Sequence, residues 1–128
     1  MRCLIVDDSA DFIDAARGLL ERQGVAVVGA ASSGAEAIRR FEELRPDVTL
    51  VDIDLGGESG FDVVNQLHHA AAPAPSPLIL ISTHALEDFA DMVATSPAIG
   101  FVSKSTLSAE IIQDLISASA GLQVGDDC

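Results

Sequence analysis

Five short apolar runs punctuate the chain, at 3–6, 25–28, 48–51, 78–81 and 99–102. They read Cys-Leu-Ile-Val, Val-Ala-Val-Val, Val-Thr-Leu-Val, Leu-Ile-Leu-Ile and Ile-Gly-Phe-Val. None alternates apolar with polar residues, which is the pattern of parallel strands covered on both faces. Between them lie stretches with apolar residues at helical spacing. Phe12, Ala15, Ala16, Leu19 and Leu20 form the first, stopped by Gly24. Ala35, Ile38, Phe41 and Leu44 form the second, starting near Ser33 and ending at Pro46. Phe61, Val64 and Leu67 follow Gly60; Leu86, Phe89, Met92 and Val93 form a fourth set. Ile111, Ile112, Leu115 and Ile116 form the fifth, with Ser108 as its cap. Strict strand–helix alternation predicts an α/β protein with right-handed crossovers and a parallel sheet between two helical layers. Five such units cannot close an eight-unit barrel, so the sheet is open and doubly wound.

The chain has 128 residues, the size of one domain. Residues 1–120 carry the alternation, and 121–128 read as a short frayed tail. The Ala/Pro-rich stretch 70–77 reads as a solvent-facing turn. A net charge of −13 opposes direct binding of nucleic acid or an anionic membrane by this chain. The apolar run at 3–6 meets Asp7 and Asp8 at once, too short for a signal peptide or membrane span. A cytoplasmic location is therefore the expectation. Cys3 reads as core, and with Cys128 it makes neither a disulfide scaffold nor a CxxC site.

In an open parallel sheet, chemistry gathers beyond the carboxyl ends of the strands. The first predicted strand ends in Asp7-Asp8, the third in Asp52, the fourth in Ser82-Thr83 and the fifth in Ser103-Lys104. Three converging carboxylates repel one another and need counter-charge. Lys104 supplies one unit, and a divalent cation supplies the rest. Oxygen donors without His or Cys suit a hard ion, Mg2+ above others. A carboxylate beside such an ion, an ammonium and a hydroxyl can hold a phosphoryl group, and Asp52 can attack phosphorus to form an acyl phosphate.

The pieces Leu-Ile-Val-Asp-Asp-Ser at 4–9, Leu-Val-Asp-Ile-Asp-Leu at 50–55 with Gly60, Ile-Leu-Ile-Ser at 79–82 and Gly-Phe-Val-Ser-Lys at 100–104 occur together. With them the chain resembles the receiver domain of two-component response regulators, the CheY-like superfamily. The resemblance implies a flavodoxin-like (βα)5 sandwich with strand order 2-1-3-4-5. It implies that Asp52 accepts a phosphoryl group from a histidine kinase or a histidine phosphotransfer protein. It implies Mg2+ held by Asp7, Asp8, Asp52 and the backbone carbonyl of Asp54. Ser82 becomes the switch hydroxyl, Lys104 the phosphate contact and Phe101 the aromatic switch, although an aromatic on a buried strand also serves as plain core. The readout is then the surface of the fourth helix, fifth strand and fifth helix, acting on an output domain or effector protein, with homodimerisation possible in the family.

The chain departs from the family pattern at Gly56 and Ser105, where many receivers carry Pro, and at Thr83, where Ala is usual. Gly56 should loosen the 55–59 loop. Asp54, Thr83 and His84 stand near the site mouth, where they would set the phosphate lifetime. His68 and His69 read as surface residues near a helix end. Two other functions fit less of the sequence. Asp52-Ile53-Asp54 has the Asp-x-Asp spacing of haloacid-dehalogenase-like phosphatases, but that scheme leaves Asp7-Asp8 idle. A receiver-like scaffold that is not phosphorylated is the other. No separate substrate is expected. The resemblance leaves open whether the receiver stands alone or precedes an output such as a helix-turn-helix; Lys-Ser at 104–105 with Ser-Ala-Glu-Ile at 108–111 is similar to receivers of the second kind.

Overall fold

The computed structural model describes the backbone of residues 1–71, 76–83 and 86–127, with the side chains of these except 86 and 120–127. Five strands form one parallel sheet, numbered here within that sheet: β1 Arg2–Val6, β2 Ala26–Ala31, β3 Val48–Asp52, β4 Leu78–Ser82 and β5 Gly100–Ser103. Their order is β2-β1-β3-β4-β5, the doubly wound order expected. The first and last helices cover one face of this sheet and the three between them the other. Cys3 and Ile5 of β1 face one layer, where α1 (Ala10–Arg22) and α5 (Ala109–Asp127) contribute Ala16, Leu20, Ala109 and Ile112. Leu4 and Val6 face the other, packed by Ala37 and Phe41 of α2 (Gly34–Leu44) and by Val64 and Leu67 of α3 (Gly60–Ala71). The apolar runs lack alternation because both faces are buried, which β1, β3 and β4 show most fully.

The helices start where their caps are. Ser9 Oγ accepts the Phe12 N–H at 3.2 Å and opens α1; Ser33 Oγ accepts the Glu36 N–H at 3.3 Å and opens α2. Ser108 Oγ accepts the Ile111 N–H at 3.2 Å, as its predicted role requires. Gly24, with φ 91°, turns the chain after α1 in a conformation that suits glycine. Cys3 is buried and free, and burial pushes its thiol up to about 12.

Several boundaries differ from expectation. β2 starts one residue after its apolar run begins, at Ala26, and extends past that run to Ala31, because β1 pairs with it as far as Val6 opposite Ala31, with a register shift between Cys3 and Leu4. The helical spacing at 86–93 does not form one helix. It forms a 3-10 turn, Leu86–Asp88, and a short helix α4, Ala90–Thr95, with no buried residue and no side-chain cap. Without a cap or a covered face, that apolar stripe cannot sustain a full helix. α3 continues through the buried Ala71, into the stretch expected to be a turn; residues 72–75 of that stretch lie outside those described. Residues 121–127, read as a frayed tail, continue the α5 backbone helix, since no proline interrupts it and extension costs little once a helix is nucleated; Cys128 lies outside the described residues. Finally, the 55–59 stretch is not an open loop. Asp54–Leu55 and Glu58–Ser59 form a small antiparallel ribbon closed at Gly56, φ 68°.

Candidate functional site

The carboxyl ends of β1, β3, β4 and β5 meet on one edge of the sheet. Asp7 follows β1, and its N–H continues the ladder onto Ala31 O at 2.9 Å, which fixes where its side chain emerges. That side chain is fully buried, and Oδ1 accepts the Ser9 N–H at 2.8 Å in a short local turn. Asp8 is exposed beside it. Asp52 ends β3 opposite Ile81 of β4 and is 6% exposed; its Oδ1 accepts the Asp54 N–H at 3.1 Å.

Lys104 bridges the two buried acids. It begins a 3-10 turn, Lys104–Thr106, directly after β5. Its Nζ lies 2.6 Å from Asp7 Oδ2 and donates to Asp52 Oδ2 at 3.1 Å. The Asp7 contact is the shorter of the two and holds a fully buried carboxylate against the ammonium. Burial pulls the ammonium down, but its hydrogen bonds to Asp7 and Asp52 and their charges outweigh this and hold it above the usual lysine value. Asp52 sits above the usual carboxylate value, chiefly through burial, helped by the Asp7 charge and opposed by the Asp54 N–H and Lys104.

One carboxylate oxygen each from Asp7, Asp8 and Asp52 lies within 4.8 Å of the others. Three negative charges against one ammonium leave an excess, and the carboxylate oxygens keep lone pairs beyond those that Lys104 engages. That donor set, all oxygen, fits a hard divalent cation. Ser82 ends β4 almost fully buried, with Ser103 opposite it on β5. An open cleft of about 390 Å3 between the ribbon and α4 reaches Ser82, with Asp54, Phe61, Phe89 and Met92 among its walls. Phe101 lies opposite Leu80 on β5, half-buried against the layer of α2, α3 and α4.

The structure thus brings Asp7, Asp8, Asp52 and Lys104 into one cluster, with Ser82 on the strand next to Asp52. Asp54 and Thr83 are exposed; His84 lies outside the described residues. His68 and His69 are exposed on the last turn of α3, as expected. Three features escaped the sequence reading. Phe12, read as part of a core stripe, places its ring 4.4 Å from Lys104 Nζ. Glu58 Oε1 accepts the Gly34 N–H at 2.9 Å and ties the ribbon to the start of α2. Gly60 packs its Cα so close to the Asp52 carbonyl that no side chain fits, and its N–H donates to Ile53 O at 2.6 Å. Only the Gly60 position carried a signal in the sequence, as part of the motif by which the chain resembles the receiver family.

A parallel five-stranded α/β fold with an acid cluster and a lysine at its carboxyl edge defines a narrow class of proteins. Residues 3–116 match the response regulator receiver domain model, and the chain belongs to that family. It is 29% identical over 121 residues to the DNA-binding transcriptional activator EvgA of Escherichia coli, covering 94% of this chain and 58% of EvgA. The chain therefore spans little more than half the length of this relative. Among solved structures, a two-component response regulator of the LuxR family from Aurantimonas superposes with a TM-score of 0.79 at 30% identity, covering 94% of this chain and 85% of that one. The signal receiver domain of the putative response regulator NarL from Mycobacterium tuberculosis superposes at 0.77 and 28% identity, with 94% and 96% covered. Among the described residues, no helix is long and apolar enough to cross a membrane.

Proposed function

We propose that this receiver works by phosphorylation of Asp52 and that the cation taken by its acid cluster is Mg2+. The observation that carries the reading is the Lys104 bridge between two buried carboxylates in a cluster with excess negative charge. Asp7, Asp8, Asp52 and the Asp54 carbonyl are the proposed ligands. When bound, Mg2+ neutralises charge on the transferring phosphoryl group. Asp52 Oδ attacks phosphorus, a P–O bond forms, and the P–N bond to the donor imidazole breaks; its electron pair returns to that nitrogen, and with the proton already on the other ring nitrogen the donor is left as neutral imidazole. Burial of Asp52 raises its basicity above an ordinary carboxylate, which favours attack. Lys104, already within reach of Asp52 Oδ2, contacts a phosphoryl oxygen, and Ser82 Oγ donates to another.

The donor on this reading is a histidine kinase or a histidine phosphotransfer protein in the cytoplasm. Movement of Ser82 and Lys104 toward the new anion shifts the segment after β4, and the space it vacates lets Phe101 reorient. The altered α4–β5–α5 surface then acts on an output domain or an effector protein, or on a second copy. The similarity to a transcriptional activator favours a DNA-binding output outside the receiver fold itself, and no separate substrate is turned over by this domain.

The test is intact mass after incubation with acetyl phosphate and Mg2+. One added phosphoryl group, absent from Asp52→Asn and from an EDTA control, is the expected result. No uptake by the wild type, together with no spectral response to beryllofluoride, moves the protein to a scaffold that signals without phosphate.

A further inference from the structure

Lys104 is the only lysine in the chain. Its ammonium has two carboxylate partners, Asp7 at 2.6 Å and Asp52 at 3.1 Å. A third neighbour is the half-buried ring of Phe12, whose centroid lies 4.4 Å from Nζ. Phe12 stands in the first turn of α1, where its own N–H is bound by Ser9 Oγ. Ser9 in turn is bound to Asp7 Oδ1. The ring is therefore placed by the same turn that places Asp7. We infer that Phe12 is a positioning residue for Lys104, holding the ammonium by cation–π attraction while leaving it able to move from Asp52 toward the phosphoryl group.

The physical argument rests on how the three partners differ. A carboxylate holds an ammonium through directed, short hydrogen bonds. A ring face attracts a cation electrostatically anywhere within about 6 Å of its centroid, with little directional demand. The lysine side chain is only 13% exposed, so water supplies little of its solvation. With an aliphatic residue at position 12, the same space would be filled, but the ammonium would face apolar surface without compensation. With the ring, Lys104 keeps an attractive wall throughout an ångström-scale shift. The contact itself stands on geometry; its effect on phosphoryl transfer rests on the proposed function.

One labelled lysine makes the contact readable without assignment. In protein grown with 13C,15N-lysine, every lysine signal is Lys104. The face of a ring shifts nearby protons upfield, so the Lys104 Hε resonances are expected upfield of free lysine. Phe12→Leu should return them and Phe12→Tyr should keep them. Lysine signals unchanged by Phe12→Leu overturn the contact. The second readout is the rate of phosphorylation by acetyl phosphate beside the Mg2+ affinity. Phe12→Leu should slow the rate about three- to tenfold while leaving Mg2+ affinity within about twofold, and Phe12→Tyr should restore the rate. In a Lys104→Met background, Phe12→Leu should cost nothing further. An equal fold-loss in both backgrounds means that Phe12 acts through packing and overturns the inference. A fluorinated phenylalanine at position 12 preserves ring shape while weakening its negative face, and covers the case where Phe12→Leu folds poorly. A wild type that takes up no phosphoryl group defeats the proposed function, while the lysine spectrum still decides the contact.

Discussion

Helices α2 and α4 lie in the same layer, over the same face of the sheet, yet they are held in opposite ways. α2 is fastened at both ends. Ser33 Oγ accepts the Glu36 N–H, Glu36 accepts the Ser32 N–H at 2.7 Å, and Glu58 from the ribbon accepts the Gly34 N–H. Its C-terminus closes on Arg45, φ 47°, whose N–H donates to Phe41 O at 3.0 Å. Ala37 and Phe41 are buried in the layer. α4 has six residues, no side-chain cap and no buried side chain; Thr95 Oγ1 turns back on its own helix at Asp91 O and Met92 O. It leans on the layer through Val93 and through Phe89, whose ring lies 6.3 Å from that of Phe61. A helix this short has little stability of its own, so its position is set by what it touches. The receiver thus pairs a firmly fastened helix over β1 and β2 with a lightly held element beside Ser82. A small movement after β4 can displace α4 while breaking few contacts, whereas displacing α2 requires opening its core.

The sharpest test of that contrast is side-chain truncation. Phe41→Ala removes a side chain that is 2% exposed and should lower unfolding free energy by about 3–5 kcal/mol. Val93→Ala, on a half-buried position of α4, should cost about 1 kcal/mol. Urea melts read both, and similar losses would break the comparison. Caps give a smaller difference. Ser33→Ala and Glu58→Ala should each cost about 1 kcal/mol, while Thr95→Ala should stay within about 0.5 kcal/mol. Native-state hydrogen exchange sharpens the same point without mutation. Amides of α2 should open with a free energy near that of global unfolding, and those of α4 well below it. Equal protection of the two helices would contradict the account.

What the sequence revealed follows the same division. The parallel strands and the edge carrying Asp7, Asp52, Ser82 and Lys104 were legible because buried parallel strands leave uninterrupted apolar runs, and four of the five runs end at a polar site residue; the strand order came only with the family resemblance. The ribbon was not legible, since two-residue strands have no periodicity and their closure depends on Glu58 reaching Gly34 across the fold. Phe12 was legible only as an apolar residue on a helical face. Its place under Lys104 depends on where β5 delivers the lysine, which no local pattern encodes. The stripe at 86–93 has helical spacing but lacks the cap and cover that turn spacing into a helix, so pattern alone overstated α4. In the opposite sense, the α5 backbone continues through 121–127, which in the sequence reads as a frayed tail.

The smallest expected effect is on the pH dependence of the α2 start. The hydrogen bond from the Ser32 N–H to Glu36, foremost, holds the Glu36 carboxyl below its usual value, with Arg39 and Arg40 adding their charges. A carboxyl whose folded value is depressed contributes stability above its unfolded value, about 4.3, and that contribution disappears as pH falls through the folded value. Glu36→Gln keeps an acceptor but removes the charge. The difference in stability between wild type and Glu36→Gln should therefore be constant from neutral pH down to about 5 and shrink below about 4. Because the side chain is about one-third exposed, solvent screens it, and the difference at neutral pH should be smaller than the loss from Ser33→Ala. A difference that persists unchanged to pH 3 would mean that the charge of Glu36 contributes nothing to fastening α2, leaving Ser33 and Glu58 to do so alone.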